Sequence, residues 1–493
     1  MKKTTLRPRA AALVESLRDI GYSLETAVSD IVDNSIAAGA SEVDIWCLGD
    51  QQALNLAITD NGRGMAEEAL ISAMRPGSSD PRASRSPSDL GRFGLGLKTA
   101  SFSQGRRLTV ASRQSASIAA AVWDLDQVAQ DDEWTLGLLE DEEIRGLPWL
   151  DQLPNPGTLV LWEKMDRFSE ALDGQGRSEL VNAKLSSLSK HLSLVFHRFI
   201  SGEAERAGKL EIRINGRKVP AFDPFCRDHD ATQRLPPETL AIGASRISIR
   251  AFILPHHSKL SPKTIEFYES RGDFLSSQGA YVYRNDRLMA WGNWFGILPK
   301  GEATKLARVA IDFTSELDDQ WTIDIKKSRA HPPPPVRTRF RQIIERIAGN
   351  SVRVYTGRAE RSLHANNLPL WSRLPGRDGI AYIPNQEHPI LQRLLEACDP
   401  DDRPIVSRTL ELLGTSLPIE AIYADIATNP KAVAVPSAEM SREECRERLL
   451  GLKELVDAKG SLDVGTFIRV ALSTRAFGGA ELMVEEIAQE LYE

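Results

Sequence analysis

The segment Ser23–Ala38, SLETAVSDIVDNSIAA, limits what this chain can fold into more than any other stretch. Leu24, Ala27, Val28, Ile31, Val32 and Ile36 recur with a helical period, Ser23 stands as an N-cap and Gly39 as a C-terminal stop, so the spacing predicts an amphipathic helix. Its apolar stripe needs a surface to bury against. The chain supplies one at once: VDIWCLG and ALNLAITDN are short β-rich runs broken by the polar turn GDQQ, and they read as a hairpin. The same helix carries Asp30, Asp33 and Asn34. Positions 30 and 34 share one face, so a carboxylate and a carboxamide face either one ligand or plain solvent.

Beyond the hairpin, NGRGM breaks the chain, a short helix is predicted over Glu67–Met74, and PGSSDPRASRSPSDLGRFGLG reads as a long loop. Strand patterns return at RLTVASR, SIAAAVWDL and GTLVLWEKM. The first domain, residues 1–170, is therefore read as a helix-plus-sheet sandwich with mostly antiparallel strands. A second α/β region, 171–335, starts with a helix over Leu180–Ile200 and continues through the strand-like runs KLEIRING, SRISIRAFIL, GAYVYRNDRLM, KLARVAIDF and QWTIDI until PPPP ends it. Residues 336–493 read as mainly helical, with helices over Arg337–Ala348, Pro389–Ala397, Arg403–Leu413, Pro418–Ile426, Ser441–Val456 and Ala480–Leu491. No internal repeat is visible.

Composition removes several classes. No window has the run of about 18 apolar residues that a membrane span needs, and the opening residues lack an apolar signal core, so a cytoplasmic protein is expected. Cys47, Cys226, Cys398 and Cys445 show no CxxC spacing and are read as free thiols. The net charge of −7 does not point to nucleic acid, yet residues 326–361 hold ten Lys/Arg against two acids. That stretch is either a phosphate-binding surface, for which DNA is the natural partner, or a solvated face near an acidic neighbour.

Four segments carry candidate chemistry. An Asp30 carboxylate can orient or deprotonate a water, and the Asn34 amide oxygen can ligate Mg²⁺. In ITDNGRGM, Asp60 ends an apolar strand and can accept a hydrogen bond from the exocyclic amino group of a base, while Gly62 and Gly64 let the backbone approach a flat ring. GRFGLGLKTAS places Gly91, Gly94 and Gly96 before Lys98 at a helix start, an arrangement suited to phosphate. Thr158 opens the strand GTLVLWE.

Taken in order, these segments resemble the GHKL ATPase superfamily of gyrase, MutL-type repair proteins, MORC proteins, heat-shock chaperones and histidine kinases. DIVDNSIAAGA resembles the N box, DNGRGM the DxGxG box, GRFGLGLKTAS the second glycine box with its ATP lid, and GTLVLW the last strand motif. The likeness covers about residues 10–170 and is closest in wording to the MORC and MutL branch. It implies a Bergerat-type α/β ATP-binding sandwich, followed by an α/β transducer-like domain and a helical C-terminal module. Asp60 would receive the adenine amino group, helped by Thr158 and the Gly62–Met65 turn. Asn34 would hold Mg²⁺, and the loop of Gly91, Arg92, Phe93, Gly94, Leu95, Gly96, Leu97 and Lys98 would close over the phosphates. The water-activating glutamate of the family falls at Asp30, one methylene shorter, which implies slow hydrolysis or none. In WTIDIKKSRA, Lys327 or Lys326 would be the transducer lysine that senses the γ-phosphate. The resemblance further implies an ATP-gated homodimer acting as a clamp in DNA transactions, beside a nuclease or helicase in repair or genome defence; an ATP-gated scaffold that does not touch nucleic acid is the competing reading.

Overall fold

The computed structural model describes residues 9–48, 54–77, 96–115, 117–167, 175–204, 208–243, 245–255, 259–269, 277–298, 300–301, 304–323, 330–344, 370–376, 379–419, 422, 440–457, 462–477 and 480–492. The chain forms two compact units, one of residues 1–300 and 304–348, the other mainly of residues 349–493.

The first unit opens with α1 (Ala10–Arg18), α2 (Leu24–Ala37), β1 (Glu42–Trp46) and β2 (Leu56–Asp60). Then come α3 (Glu67–Met74), α4 (Gly96–Gln104), β3 (Arg107–Gln114), β4 (Ser117–Asp124), α5 (Leu125–Asp131), β5 (Gly137–Leu138), α6 (Asp141–Arg145) and β6 (Gly157–Glu163). Next are α7 (Gln175–Val195), α8 (His197–Ser201), β7 (Glu211–Ile214) and β8 (Arg217–Lys218). The strands make an eight-stranded sheet in the order β5-β4-β3-β6-β2-β1-β7-β8. All pairs are antiparallel except β1 with β7.

The predicted site helix is α2. Ser23 caps it, its Oγ accepting from the Thr26 N–H at 3.3 Å, and Gly39 ends it at φ +79°, a left-handed conformation that glycine adopts without a Cβ clash. Its stripe of Leu24, Ala27, Val28, Ile31 and Val32 is buried in the core beside Ile45, Ile58 and Val110 of the sheet. The central strand β2 is buried along its whole length, as its run LAIT requires. Its register with β6 sets Asp60 opposite Thr158, and β3 sets Ser112 opposite the same Thr158.

The run KLEIRING, expected in the second α/β region, instead extends the first sheet as β7. The outer edge of β1 presents unpaired backbone groups that another strand must satisfy. Glu211 N–H reaches the Ser41 carbonyl at 2.8 Å, Asn215 N–H reaches that of Ile45 at 2.8 Å, and the Asn215 side chain continues the ladder by bonding both backbone groups of Cys47.

The second sheet uses β9 (Gln233–Arg234), β10 (Glu238–Ile242), β11 (Ser245–Ile253), β12 (Gly279–Arg284), β13 (Arg287–Asn293) and β14 (Ala307–Phe313), with α9 (Pro262–Glu269) between β11 and β12. Its order is β10-β11-β14-β12-β13, with β9 beside β11 and with β12 and β14 parallel. A two-stranded pair, β15 (Thr322–Ile323) and β16 (Ala330–His331), follows. The next helix, over 334–344, starts inside the proline run, where a first-turn proline has no N–H to lose.

In the second unit, helices over Arg442–Val456, Val464–Ser473 and Glu481–Tyr492 share a core of Cys445, Leu449, Phe467, Val484 and Ile487. Helices over Pro389–Ala397 and Arg403–Thr415 precede them. A hairpin of Trp371–Gly376 with Gly379–Pro384 was not expected. Pro375 and Pro384 argue against strands in a sheet interior, but a lone hairpin is all edge and tolerates them. The helix expected over Pro418–Ile426 lies largely outside the described residues. Among the described residues, no helix is long and apolar enough to cross a membrane.

Candidate functional site

The candidate residues gather in two groups along α2, one at its C-terminal end and one over its middle turns, Asp30–Asn34. At its C-terminal end, Asp60 emerges from β2 with 7% of its surface exposed. Its Oδ2 accepts from the Ser35 hydroxyl and its Oδ1 from the Gly62 N–H, each at 2.9 Å. Burial pushes the Asp60 carboxyl above its usual range, and these two bonds pull the other way. A Cβ on Gly62 would lie 2.8 Å from the Ala38 Cβ and 2.9 Å from Asp60 Oδ1, and one on Gly64 would lie 2.1 Å from the Arg113 carbonyl oxygen. Both glycines are therefore demanded by close packing, and Gly64 also by its φ of +67°.

Beside this turn lies a residue that sequence reasoning missed. Ser112 Oγ accepts from the Met65 N–H at 2.8 Å, lies 3.1 Å from the Gly157 carbonyl to which it donates, and shares a 3.1 Å hydrogen bond with the Thr158 hydroxyl. It ties the DNGRGM turn to the strand that carries Thr158. A lone serine in an apolar strand shows its partner only once strand register is known.

In the middle of α2, Asp30 is 2% exposed and accepts from the Tyr22 hydroxyl at 3.1 Å. Helix α4 begins against it: a Cβ on Gly96 would lie 3.4 Å from Asp30 Oδ2. One turn further on, Asn34 is exposed. Asp33, 1% exposed, meets Arg287 of β13, whose Nε lies 3.1 Å from its Oδ1. Arg287 is a second residue the sequence did not single out: in the hairpin YVYRNDRLMAW it is one of three charges at the turn, with Arg284 and Asp286. Helix α7 packs against both α2 and β13. His191 on α7 has its pKa drawn down to about 4, by burial first and then by the Arg287 charge.

Residues 22–153, the span from Tyr22 through α2, the DNGRGM turn, α4 and β3–β5, match the family described as histidine kinase-, DNA gyrase B-, and HSP90-like ATPases. This part of the chain is a GHKL ATPase domain. A stretch of 95 residues is also 32% identical to the ATPase morc-1 of Caenorhabditis elegans, covering 19% of this chain and 11% of that relative.

Lys98 of the ATPase domain is 3% exposed, and its Nζ donates to the Ala73 carbonyl at 2.9 Å, in the last turn of α3. Burial draws its pKa down to about 8. A cavity of about 330 Å³ opens at the N-terminal end of α2, lined among others by Tyr22, Glu25, Gln104, Arg167, Lys184 and Ser187. Its lining does not include Asp60 or Thr158. Gly91, Arg92, Phe93, Gly94, Leu95, Lys326 and Lys327 lie outside the described residues.

Proposed function

We propose that the ATPase domain binds ATP along α2, with the base at Asp60 and the phosphates toward Asp30 and Asn34, and hydrolyses it slowly. The observation that carries this reading is the Asp60 constellation. A carboxylate has about four lone-pair sites, and Ser35 and Gly62 occupy two, leaving capacity to accept from an adenine amino group. The backbone at Gly62 and Gly64 and the Thr158 hydroxyl complete that end. Asp30, held by Tyr22, would take a proton from, or orient, the attacking water. Mg²⁺ fits an exposed amide oxygen such as that of Asn34, since the ion is commonly held by few side chains together with phosphate oxygens; when bound it would offset phosphate charge. Lys98 and the Gly91–Gly96 loop would close over the phosphates, and Lys327 or Lys326 would report the γ-phosphate from the transducer-like region, residues 171–335.

The wider proposal is an ATP-dependent homodimer that clamps DNA through the basic residues 326–361. Within that stretch Arg337 and Arg341 are exposed, whereas Arg339 is paired with Glu238 at 2.6 Å. That pairing and the net charge of −7 favour the second reading, an ATP-gated scaffold without nucleic acid. Titration of the purified chain with ATP and with duplex DNA, following hydrolysis and mass together, separates the two. The clamp reading expects ATP-dependent doubling of mass and DNA affinity falling with salt at a log–log slope of roughly −0.9 per phosphate contact. Binding of ATP without salt-sensitive DNA affinity in any nucleotide state leaves the scaffold.

A further inference from the structure

The β12–β13 hairpin turns through Asn285 and Asp286, at φ +47° and +66°, as in the mirror-image turn whose twist matches a two-residue hairpin. The turn delivers Arg287 as the first residue of β13, the last strand in the order of its sheet. Its guanidinium crosses to the ATPase domain and meets Asp33 at 3.1 Å, the partners being 254 residues apart in sequence. Both side chains are sealed from water, at 4% and 1% exposure. The Phe196 ring lies 5.7 Å from the guanidinium carbon, and Nη1 donates to the Leu288 carbonyl at 3.0 Å.

A buried ion pair is a poor way to gain stability, because desolvation of both charges offsets their attraction and an apolar pair would hold the elements together as well. What such a pair adds is direction. The guanidinium is planar and donates along fixed lines, so Asp33 meets it well at one rotation of α2 about its axis. Asp33 lies immediately before Asn34 and three residues after Asp30. A rotation that moved either of those side chains would also draw Asp33 away from Arg287. Trp291 lies on the same strand, its ring 5.7 Å from that of His191 on α7, and reports where β13 sits.

We infer that Arg287 is a positioning residue: by holding Asp33 it sets the rotation of α2, and with it the placement of Asp30 and Asn34, and it links nucleotide occupancy to the second sheet. This rests on the ATPase reading above.

The test uses the full chain with Arg287→Met, Arg287→Lys, Asp33→Asn and the Arg287→Met/Asp33→Asn double variant. Two readouts are followed with ATP and a non-hydrolysable analogue: kcat against KM, and the nucleotide-dependent emission of Trp291, obtained by difference from Trp291→Phe. For Arg287→Met the expected result is a fall in kcat of about tenfold or more with KM within about threefold, the signature of a misplaced reacting group. Arg287→Lys, which keeps the charge but not the fork, should recover part of the rate. The double variant should be no slower than Arg287→Met alone, because the two residues act as one unit. The Trp291 response should be present in the parent and absent in Arg287→Met. Thermal unfolding without nucleotide checks folding, and should Arg287→Met unfold, Arg287→Lys and Asp33→Asn carry the same comparison. Parent-like kcat and Trp291 response in the folded variants, or losses that simply add in the double variant, would overturn the assignment while leaving the ATPase reading intact. A parent that does not bind ATP, with Asp60→Ala indistinguishable from it, overturns both.

Discussion

The candidate site has two ends, one at the C-terminal end of α2 and one over its middle turns, and they are built in different ways. At the C-terminal end, Asp60, Ser35, Gly62 and Gly64 come from one stretch of thirty residues, and each is held by a hydrogen bond or a close backbone contact within it or with the neighbouring strands. At the other end, the carboxylates of Asp30 and Asp33 depend on groups brought from elsewhere: Tyr22 ahead of the helix, Gly96 from α4 and Arg287 from a different sheet. The end proposed to recognise the base can therefore form with the first sheet alone. The end proposed for the phosphates is complete only when the second sheet is docked, so on the reading proposed above the second sheet could influence turnover without touching base recognition.

The largest effect that separates the ends is expected from Asp60→Ala. It removes the acceptor for the base and leaves the Ser35 hydroxyl and Gly62 N–H without their carboxylate, so ATP binding should fall by roughly 10⁴-fold, below detection in a calorimetric titration. Affinity retained within error would move the base elsewhere and dissolve the contrast between the two ends. Asp30→Ala should behave differently, lowering turnover by roughly 10²–10⁴ while a non-hydrolysable analogue binds as to the parent. Turnover equal to the parent's would place the base at another residue. Asp33 would come first by position, but a role as base would require it to leave Arg287.

That difference between the ends also governs what could be read from sequence. The boundaries of α2, the β1–β2 hairpin and the order of the motifs are legible because each rests on periodicity, a cap or a turn within a few residues. Asp60 is legible for the same reason: the strand end and its two glycines are adjacent. Ser112 is not, because its link to Met65 and Thr158 exists only once β3 and β6 are in register. Arg287 is not, because nothing local distinguishes a hairpin arginine that reaches 254 residues back from one that meets solvent. Strand β7, expected in the second α/β region, joins the first sheet, because its alternating pattern fits any half-buried edge and only the open side of β1 decides which. The 371–384 hairpin was hidden by its prolines.

The smallest expected effect concerns Lys98, and it tests whether this buried lysine, proposed to meet the phosphates, costs the fold stability. The pKa of Lys98 in the folded chain lies at about 8, below the ordinary 10.5, because burial disfavours the ammonium. Below pH 8 both folded and unfolded chains are protonated, and the folded state bears the full cost of the buried charge. Between pH 8 and 10.5 the unfolded chain binds the proton and the folded chain does not, so this residue's contribution makes stability rise with pH across that window. Lys98→Met should thus raise stability at pH 7 by on the order of 2 kcal/mol, after allowance for the lost bond to the Ala73 carbonyl. The gain should shrink between pH 8 and 10.5, as followed by denaturant unfolding. If Lys98 turns to the phosphates on binding, their charge raises its pKa again, and near pH 8 binding of ATP should take up about half a proton, measurable by calorimetry in buffers of different ionisation enthalpy. A pH-independent difference in stability, together with no proton uptake, would leave Lys98 as a strut on the end of α3 and remove it from the nucleotide site.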